Sequence, residues 1–397
     1  MAKKLRIDWF LFAIAATLAL FGAVMVYSAS AMISLQETKN NPEGASQYLY
    51  FYKQIGFTAA GLLVMYLATK FNYRWLQNET VVYGLLIVTA ILLVAVFAFP
   101  PINGARRWIR VPGMSFQPSE LAKITLPVFL AYFLTKNEKN VTSLRETALW
   151  CVAVFGILSG LILFEPDLGT VIVLAASFVA VYFAAGARLL HIAALGAGCV
   201  SIFALALITS PYRRERVLAF LNPWENSDGA AYQVIQGLYA IGSGGIFGEG
   251  FAKGEQKLFY LPYPHSDFIF AVVGEELGLI GTLAVVLAFG LLLWRGTRAA
   301  LLAPERFGML LGIGIITGII VQALFNISVV ISIVPAKGIP LPFISYGGTS
   351  IVTTLFAVGI LLNLSQHAGF VSMEKTEPEA PRPKKRQKVS RTRVGAT

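Results

Sequence analysis

The sequence predicts an all-α polytopic membrane protein with about ten transmembrane helices. Hydrophobic residues make up 56% of the 397 residues and charged residues only 13%, whereas soluble globular domains contain about 25% charged residues. Apolar runs of about 20 residues, long enough to cross a bilayer as a helix, recur along the chain. They lie near residues 9–31, 52–71, 79–99, 118–135, 146–164, 169–186, 189–209, 267–294, 306–333 and 346–364.

The positions of Lys and Arg predict that both termini are cytoplasmic. Cytoplasmic loops are enriched in these residues, and an even number of helices returns the C-terminus to the side of the N-terminus. The apolar run that begins at Trp9 is longer than the core of a signal peptide, so we interpret it as an uncleaved first helix. With the N-terminus inside, the cytoplasmic segments contain Lys3, Lys4, Arg6, Lys70, Arg74, Lys136, Lys139, Arg145, Arg188, Arg295, Arg298 and Arg306.

Two domains are predicted. Residues 1–371 form one transmembrane domain with a long extracytoplasmic loop, about 210–266, between helices 7 and 8. Residues 372–397 are polar and basic, and we expect a disordered cytoplasmic tail. The distribution of the formal net charge of +11 favours anionic lipid or topology control over nucleic-acid binding. For the tail, contact with anionic lipid is the simpler account in a protein with ten spans.

The long loop is expected to contain one helix. Ala231, Val234 and Ile235 begin an apolar stripe at helical spacing that Asp228 could cap, so the helix would lie on the membrane surface or pack on the bundle. The glycine-rich run 242–250 that follows is predicted to be a flexible hinge.

An outward-opening polar cavity is the main hypothesis about function. Four segments rich in Pro, Gly and charge fall on the predicted outer face, and non-helical backbone at membrane depth is tolerated only where protein buries it or a cavity is lined by it. These segments are residues 101–123, 164–170, 210–266 and 333–348.

A short external loop carries three arginines, Arg106, Arg107 and Arg110. This placement opposes the usual distribution of positive charge, so it indicates an anionic external ligand, with contact to lipid headgroups as the alternative. Trp108 in the same loop is either an interfacial anchor or a platform for a sugar ring.

Asp267 is the candidate for chemistry, because it lies at the outer mouth of the eighth helix, within reach of water and of a membrane-embedded substrate. The alternative is that it caps the helix, although Ser266 could do so instead; His265 completes the same turn. Glu275 and Glu276 lie about 12 Å deeper, and we interpret them as structural or coupling residues.

Other candidate contacts come from several segments. Glu120 and Lys123, three residues apart on one helix face, form a structural ion pair or a pyrophosphate contact. Lys337 and Ser345 lie in a turn rich in Pro and Gly, Lys257 lies in the long loop, and we expect Asp167 to cap a helix.

Five motifs together resemble those of the SEDS family (shape, elongation, division and sporulation) over about residues 8–366. They are GARRWI, QPSELAK, EPDLGT, QKLFYLPYPHSDFIFAVVGEELG and KGIPLPFISYGG. The run QKLFYLP and Lys337 resemble the division branch more than the elongation branch. One departure is Ser266, where Thr is commoner in the family; the hydroxyl group is kept.

The resemblance implies a peptidoglycan glycosyltransferase of the bacterial inner membrane, acting at the division septum. Such proteins polymerise lipid II, release undecaprenyl pyrophosphate, and work with an FtsI-type class B penicillin-binding protein and other division proteins. The family's essential acidic residue falls on Asp267. Its partners would be lipid II, the nascent glycan strand and the membrane, with no nucleic acid.

The residues fit this chemistry. Asp267 could act as general base for the acceptor 4-hydroxyl, and cations could stabilise the leaving pyrophosphate; the available cations are Arg107, Arg110, Lys123 and Lys337. No cofactor is certain: a divalent cation, Mg or Mn, could share this work, but no carboxylate cluster specifies one. The remaining candidate substrate contacts are Trp108, Glu120, Lys257, His265, Ser266 and Ser345.

Two other classes of function stay open. Membrane carboxylates such as Glu275 and the pair Glu120 and Lys123 would also suit a lipid II flippase, although we find no obvious internal repeat of the kind many transporters show. A non-catalytic scaffold that activates a penicillin-binding protein would need neither Asp267 nor the external cations.

Overall fold

The fold of the chain is a bundle of long helices, described here from a computed structural model that covers residues 7–40, 48–102, 104–111, 114–209, 211–226, 231–258 and 260–367. The described residues contain twelve α-helices and one hairpin of two short antiparallel strands, β1 (Ile109–Val111) and β2 (Met114–Phe116). The helices are α1 (Trp9–Asn40), α2 (Leu49–Ala68), α3 (Glu79–Ala95), α4 (Pro118–Lys136), α5 (Leu149–Phe164), α6 (Leu168–Ala184), α7 (Leu189–Thr209), α8 (Pro211–Leu221), α9 (Tyr232–Gly244), α10 (Ile269–Leu301), α11 (Arg306–Val330) and α12 (Gly348–His367).

The prediction of an all-α polytopic membrane protein is confirmed. A helix covers each of the ten predicted spans, while α8 and α9 lie in the long loop. Six helices of the described chain are both long and apolar enough to cross a membrane by themselves. The count of ten crossings therefore stays a prediction.

The centre of the bundle is formed by α4, α11 and α12, most of whose side chains are buried. Small residues allow the close approach of helices in membranes, and Gly314 of α11 is such a position: a Cβ atom there would lie 2.8 Å from Pro127 Cβ of α4. These helices supply the rigid wall behind the site described below.

Ion pairs gather at the end of the bundle that the sequence assigns to the cytoplasm. Arg295 Nη2 lies 2.6 Å from Asp8 Oδ2 and joins the end of α10 to the start of α1. Two further pairs at this end join Arg74 to Glu305 at 2.6 Å and Arg306 to Glu138 at 2.5 Å. Three basic residues predicted on one side of the membrane therefore lie at one end of the fold.

The long loop contains the predicted helix, α9, and its apolar side chains Val234 and Ile235 are buried. The expected cap, Asp228, lies outside the described residues, as does the predicted tail 372–397. The prediction of a flexible hinge at 242–250 is wrong, because this run packs tightly against α10: a Cβ atom at Gly248 would lie 2.2 Å from the carbonyl oxygen of Glu276.

Candidate active site

A cavity of about 860 Å³ opens at the end of the bundle where α10 begins. Its wall includes the start of α4, the turn before α6, α9, and the segments that precede α10 and α12. Its lining residues extend from Ile102 to Ser350, so it brings together distant parts of the sequence. The candidates that line it are Arg107, Trp108, Glu120, Lys123, Ser266, Asp267 and Lys337.

Asp267 lies on the cavity wall immediately before α10. The N-cap position of α10 is occupied by Phe268, which makes no side-chain capping hydrogen bond. The alternative interpretation of Asp267 as the cap of this helix is therefore not what the structure shows.

The backbone of the turn that carries Asp267 is fixed at three successive carbonyl groups. Each accepts a hydrogen bond from α11 or from the segment before α12, so the position of Asp267 is set by elements outside its own helix. The donors are the backbone amide of Tyr346 to His265 at 2.9 Å, Ser345 Oγ to Ser266 at 2.5 Å, and Asn326 Nδ2 to Asp267 at 2.8 Å.

The segment that carries Lys337 is held against Asp267 by two amide side chains of α11. Asn326 Nδ2 donates to the carbonyl of Ile339 at 2.7 Å, and Gln322 Nε2 donates to that of Pro340 at 2.9 Å. Gly338 then lies so close to Asp267 that a Cβ atom there would be 2.7 Å from Oδ2 of the carboxylate. Only a glycine leaves the carboxylate in this place.

Glu120 and Lys123 form the predicted ion pair, with 2.6 Å between Oε2 and Nζ and with both side chains largely buried. Lys123 Nζ also donates to Gln322 Oε1 at 2.7 Å. The pair thus connects α4 to the amide of α11 that holds the Lys337 segment. Because the carboxylate offsets the ammonium charge, we interpret the pair mainly as support for the cavity wall.

Arg107 contacts the turn between α5 and α6. Its Nε donates to the carbonyl of Glu165 at 3.0 Å and its Nη2 to that of Pro166 at 2.6 Å. The next residue, Asp167, is the predicted cap of α6, accepting from the backbone amide of Thr170 at 3.1 Å. Since both of these acceptors are neutral carbonyls, the positive charge of Arg107 is available to an anion in the cavity.

Glu165 is a buried acid that the sequence did not single out. It is fully buried, and neither carboxylate oxygen has a hydrogen-bond partner in the structure. Burial, with a further contribution from the charge of Asp167 that Arg107 partly offsets, raises the pKa of Glu165 to about 8. The side chain is therefore a neutral acid at pH 7.

Replacing Glu165 by glutamine is expected to stabilise the protein at alkaline pH. The unfolded carboxyl ionises near pH 4.5 and the folded one near 8, so the wild type loses stability as pH rises between these values, by up to roughly a few kcal/mol. Thermal unfolding in detergent should show a Tm advantage of Glu165→Gln that grows from pH 5 to pH 8. Thr170→Val, which removes an uncharged donor to Asp167 at the same cap, is the control and should not show this growth; an advantage that is independent of pH would contradict the burial of an ionisable Glu165.

Four predicted contacts lie off the cavity wall. Arg110 is exposed on β1. The hydroxyl group of Ser345 binds the backbone of its own segment, where Oγ accepts a hydrogen bond from the amide of Leu341 at 2.7 Å. The ring of His265 packs between Tyr50 and Tyr346, with centroids 5.1 and 5.7 Å away, and burial lowers its pKa to about 4. It is therefore neutral and supports the turn.

The fourth of these residues is Lys257, whose position requires a correction. Its ammonium group is buried against the carboxylate of Glu276 instead of facing the cavity. A contact with substrate was the expectation; the structure gives this lysine a partner within the protein because the loop folds back onto α10.

Several polar residues of the cavity were missed at the level of sequence. Gln322 lines the wall, and Asn326 lies one turn further along α11. Two amides four residues apart in an apolar span are a signal that could have found them, since polar groups inside membranes mark functional or packing sites. Gln233 of α9 and Tyr346 also line the cavity, and no local pattern distinguishes them.

No group of three or more His, Cys, Asp or Glu side chains that could hold a metal ion occurs in the part of the chain that the structure describes. The acids that line the cavity are Asp267, Glu120 and Asp167; the last two are engaged with Lys123 and with the N-terminus of α6. A cation at this site would therefore need oxygen ligands from a substrate as well.

Comparison with known proteins assigns the chain to a family. Residues 8–369 match the cell cycle protein model that covers FtsW, RodA and SpoVE. The chain is 39% identical to stage V sporulation protein E of Bacillus subtilis over 372 residues, which is 93% of this chain and 99% of that protein. It is 41% identical to the probable peptidoglycan glycosyltransferase FtsW of Geobacter sulfurreducens, covering 91% of this chain and 95% of that one.

Solved structures agree with this assignment. A chain from a study of the structural coordination of polymerization and crosslinking by a peptidoglycan synthase complex superposes with a TM-score of 0.71 at 27% identity, covering 92% of this chain and 99% of that chain. The rod shape determining protein RodA of Thermus thermophilus superposes with a TM-score of 0.63 at 27% identity, covering 91% and 97%.

The fold and the cavity define a multi-pass helical membrane protein with a polar site at one end of its bundle. The chain belongs to the FtsW, RodA and SpoVE family, and the resemblance to the SEDS proteins is thereby confirmed.

Proposed function

We propose that this protein is a peptidoglycan glycosyltransferase that polymerises lipid II, with Asp267 as the general base. The observation that carries the proposal is the placement of a carboxylate and of two cationic side chains, Arg107 and Lys337, around one cavity of about 860 Å³. This volume lies within the usual range of about 300 to 1,000 Å³ for ligand sites. The family supplies relatives whose names state this activity.

The transfer step needs a general base and positively charged groups that stabilise the negative charge of the leaving pyrophosphate. Asp267 takes the proton of the acceptor 4-hydroxyl as that oxygen attacks the anomeric carbon of the donor sugar. The bond from this carbon to the pyrophosphate oxygen breaks, and undecaprenyl pyrophosphate leaves with the electron pair. Arg107 and Lys337, cations on the same wall, stabilise the charge that develops on the leaving group. Trp108 offers a ring face to a sugar, and Ser266 a hydroxyl group.

The biological setting is part of the same proposal. A class B penicillin-binding protein of the FtsI type would supply the crosslinking activity, because a structural neighbour comes from a complex that coordinates polymerization with crosslinking. Action at the division septum rests on the similarity to FtsW proteins.

A reconstitution with purified protein tests the proposal. The chain and an FtsI-type partner are given lipid II in detergent, and glycan chains are separated by gel electrophoresis; polymer that depends on this protein is expected. A preparation that makes no polymer but moves lipid II across liposomes would favour a flippase. A preparation that does neither but raises crosslinking by the partner on preformed glycan would favour a scaffold.

A further inference from the structure

The helix α10 is interrupted at Gly278, where φ is 63° and ψ is −160°. Backbone groups released by the break are paired with the glycine-rich run 244–250: the amides of Glu249 and Gly250 donate to the carbonyls of Glu275 and Glu276 at 2.9 and 3.1 Å. On the other side, the amides of Leu279 and Ile280 donate to Gly245 and Ile246 at 2.9 and 3.3 Å. The loop therefore fills the break, as buried backbone in a membrane protein requires.

The side chains of Glu275 and Glu276 bind the next part of the same loop. Glu275 Oε1 accepts from the backbone amides of Glu255 and Gln256 at 2.6 and 2.9 Å. Glu276 Oε2 accepts from the amide of Ala252 at 3.0 Å. Both carboxylates are almost fully buried, so these adjacent acids are anchors for the loop.

Lys257 and Glu276 form a buried ion pair that also includes α1. Lys257 Nζ contacts Glu276 Oε1 and donates to Ser28 Oγ at 2.8 Å, and Ser28 Oγ donates to the same carboxylate oxygen at 2.5 Å. Lys257 is 5% exposed and Glu276 is fully buried. Three separate parts of the chain meet here, at a distance from the cavity wall.

The contact between Lys257 and Glu276 joins the ends of two stretches of chain, here called arms, that meet at Asp267. Ten residues run from Lys257 to Asp267, and nine more run along α10 back to Glu276. The second arm is helical from Ile269 onward, and the described residues of the first arm form turns and bends. Fixing both arms at their base limits how far the turn that contains Asp267 can shift or tilt.

We propose that Lys257 and Glu276 are positioning residues for Asp267, an inference that rests on the function proposed above. They touch neither the cavity nor a substrate in it, and they act by holding the two arms together. A buried ion pair suits this task because both charges are paired in only one arrangement of the two side chains, whereas apolar side chains can pack in several ways. Misplacement of a reacting group by about 1 Å can reduce turnover by about a hundredfold.

The decisive variant removes both charges. Lys257→Met alone leaves a buried carboxylate without its cation, and Glu276→Gln alone leaves a buried ammonium, so either can impair folding. The double variant Lys257→Met with Glu276→Gln avoids an unpaired charge and keeps an acceptor for Ala252. We expect it to fold with a Tm near that of the wild type, with kcat for lipid II lowered about tenfold or more and KM unchanged.

The pair Asp8 and Arg295 is the matched control, because it is also an ion pair that ties α10 to a distant part of the chain, but it lies near the other end of that helix. Asp8→Asn with Arg295→Met should leave kcat at the level of the wild type. A normal kcat in the Lys257 and Glu276 double variant would overturn the inference. A raised KM with an unchanged kcat would also overturn it, and would return Lys257 to the role of a substrate contact.

A second readout does not depend on turnover. In a chain with Cys151 and Cys199 replaced by alanine, Ser266→Cys is labelled with a membrane-impermeant maleimide. The double variant should label several times faster than its parent, because the turn moves more, and the control pair should not. Polymer formation is measured on the wild type without the cysteine substitutions. Faster labelling together with a wild type that makes no polymer would refute the proposed function alone; equal labelling together with a wild type that polymerises would refute only the positioning role.

Discussion

Replacing Asp267 by asparagine is expected to reduce glycan polymerisation by about 10²- to 10⁴-fold, the range for loss of a general acid or base. Asparagine has nearly the same shape and can still accept hydrogen bonds, but its amide cannot take the proton of the acceptor hydroxyl. The measurement is the initial rate of polymer formation from lipid II, with the partner synthase present in the same amount. Asp267→Ala should be equally inactive.

The carbonyl of Asp267, and not its carboxylate, accepts the hydrogen bond from Asn326 Nδ2, so the backbone of the turn should survive the Asn substitution. The thermal unfolding temperature and the yield of the membrane-inserted protein should therefore match those of the wild type. Polymer made at the wild-type rate by both variants would rule out Asp267 as the base.

Gly338→Ala is expected to lower kcat by about ten- to a hundredfold without contact to the reacting atoms. The added methyl group would lie 2.7 Å from Asp267 Oδ2, closer than carbon and oxygen atoms can pack, so the carboxylate must turn away. Asn326 donates a hydrogen bond to the carbonyl of the neighbouring residue, Ile339, so the backbone at position 338 cannot move far to relieve the clash. Polymerisation kinetics at several lipid II concentrations separate this loss from a change in KM.

Gly318→Ala serves as the control for that substitution. An added Cβ atom at Gly318, on α11, would meet only Val173 Cγ1, at the ordinary distance of 3.8 Å. This variant should keep the turnover of the wild type, and alanine inside a helix is not destabilising. Equal activity of the two alanine variants would show that Asp267 does not need the space that glycine leaves.

Features of the fold that depend on local pattern were predictable from the sequence. The ten apolar runs coincide with helices, the i, i+3 spacing of Glu120 and Lys123 gives the observed ion pair, and Asp167 caps α6 as expected. Each rests on hydropathy or on neighbours within one helical turn, which the sequence states directly.

Features that depend on long-range folding could not be predicted. The position of Lys257 in a polar loop does not indicate that its ammonium group will contact Glu276, nineteen residues later in the sequence. The sequence alone therefore suggests a contact with substrate. The glycine run resembled a hinge because glycine favours freedom in the unfolded chain, yet here the same lack of a side chain permits close packing. For Glu165, burial alone changes the charge, and burial is a property of the whole bundle.

The hydrogen bonds of Arg107 to the carbonyls of Glu165 and Pro166 have a consequence for substrate capture. A guanidinium that donates to neutral carbonyls, beside a buried acid whose pKa is raised to about 8, is not neutralised by an ion pair with that acid and adds positive potential at the rim of the cavity. Such a field attracts a diphosphate headgroup diffusing in the plane of the membrane and is screened by added salt over about 10 Å. Ionic strength should thus govern how fast the protein collects its substrate, while the rate of the bound reaction stays the same.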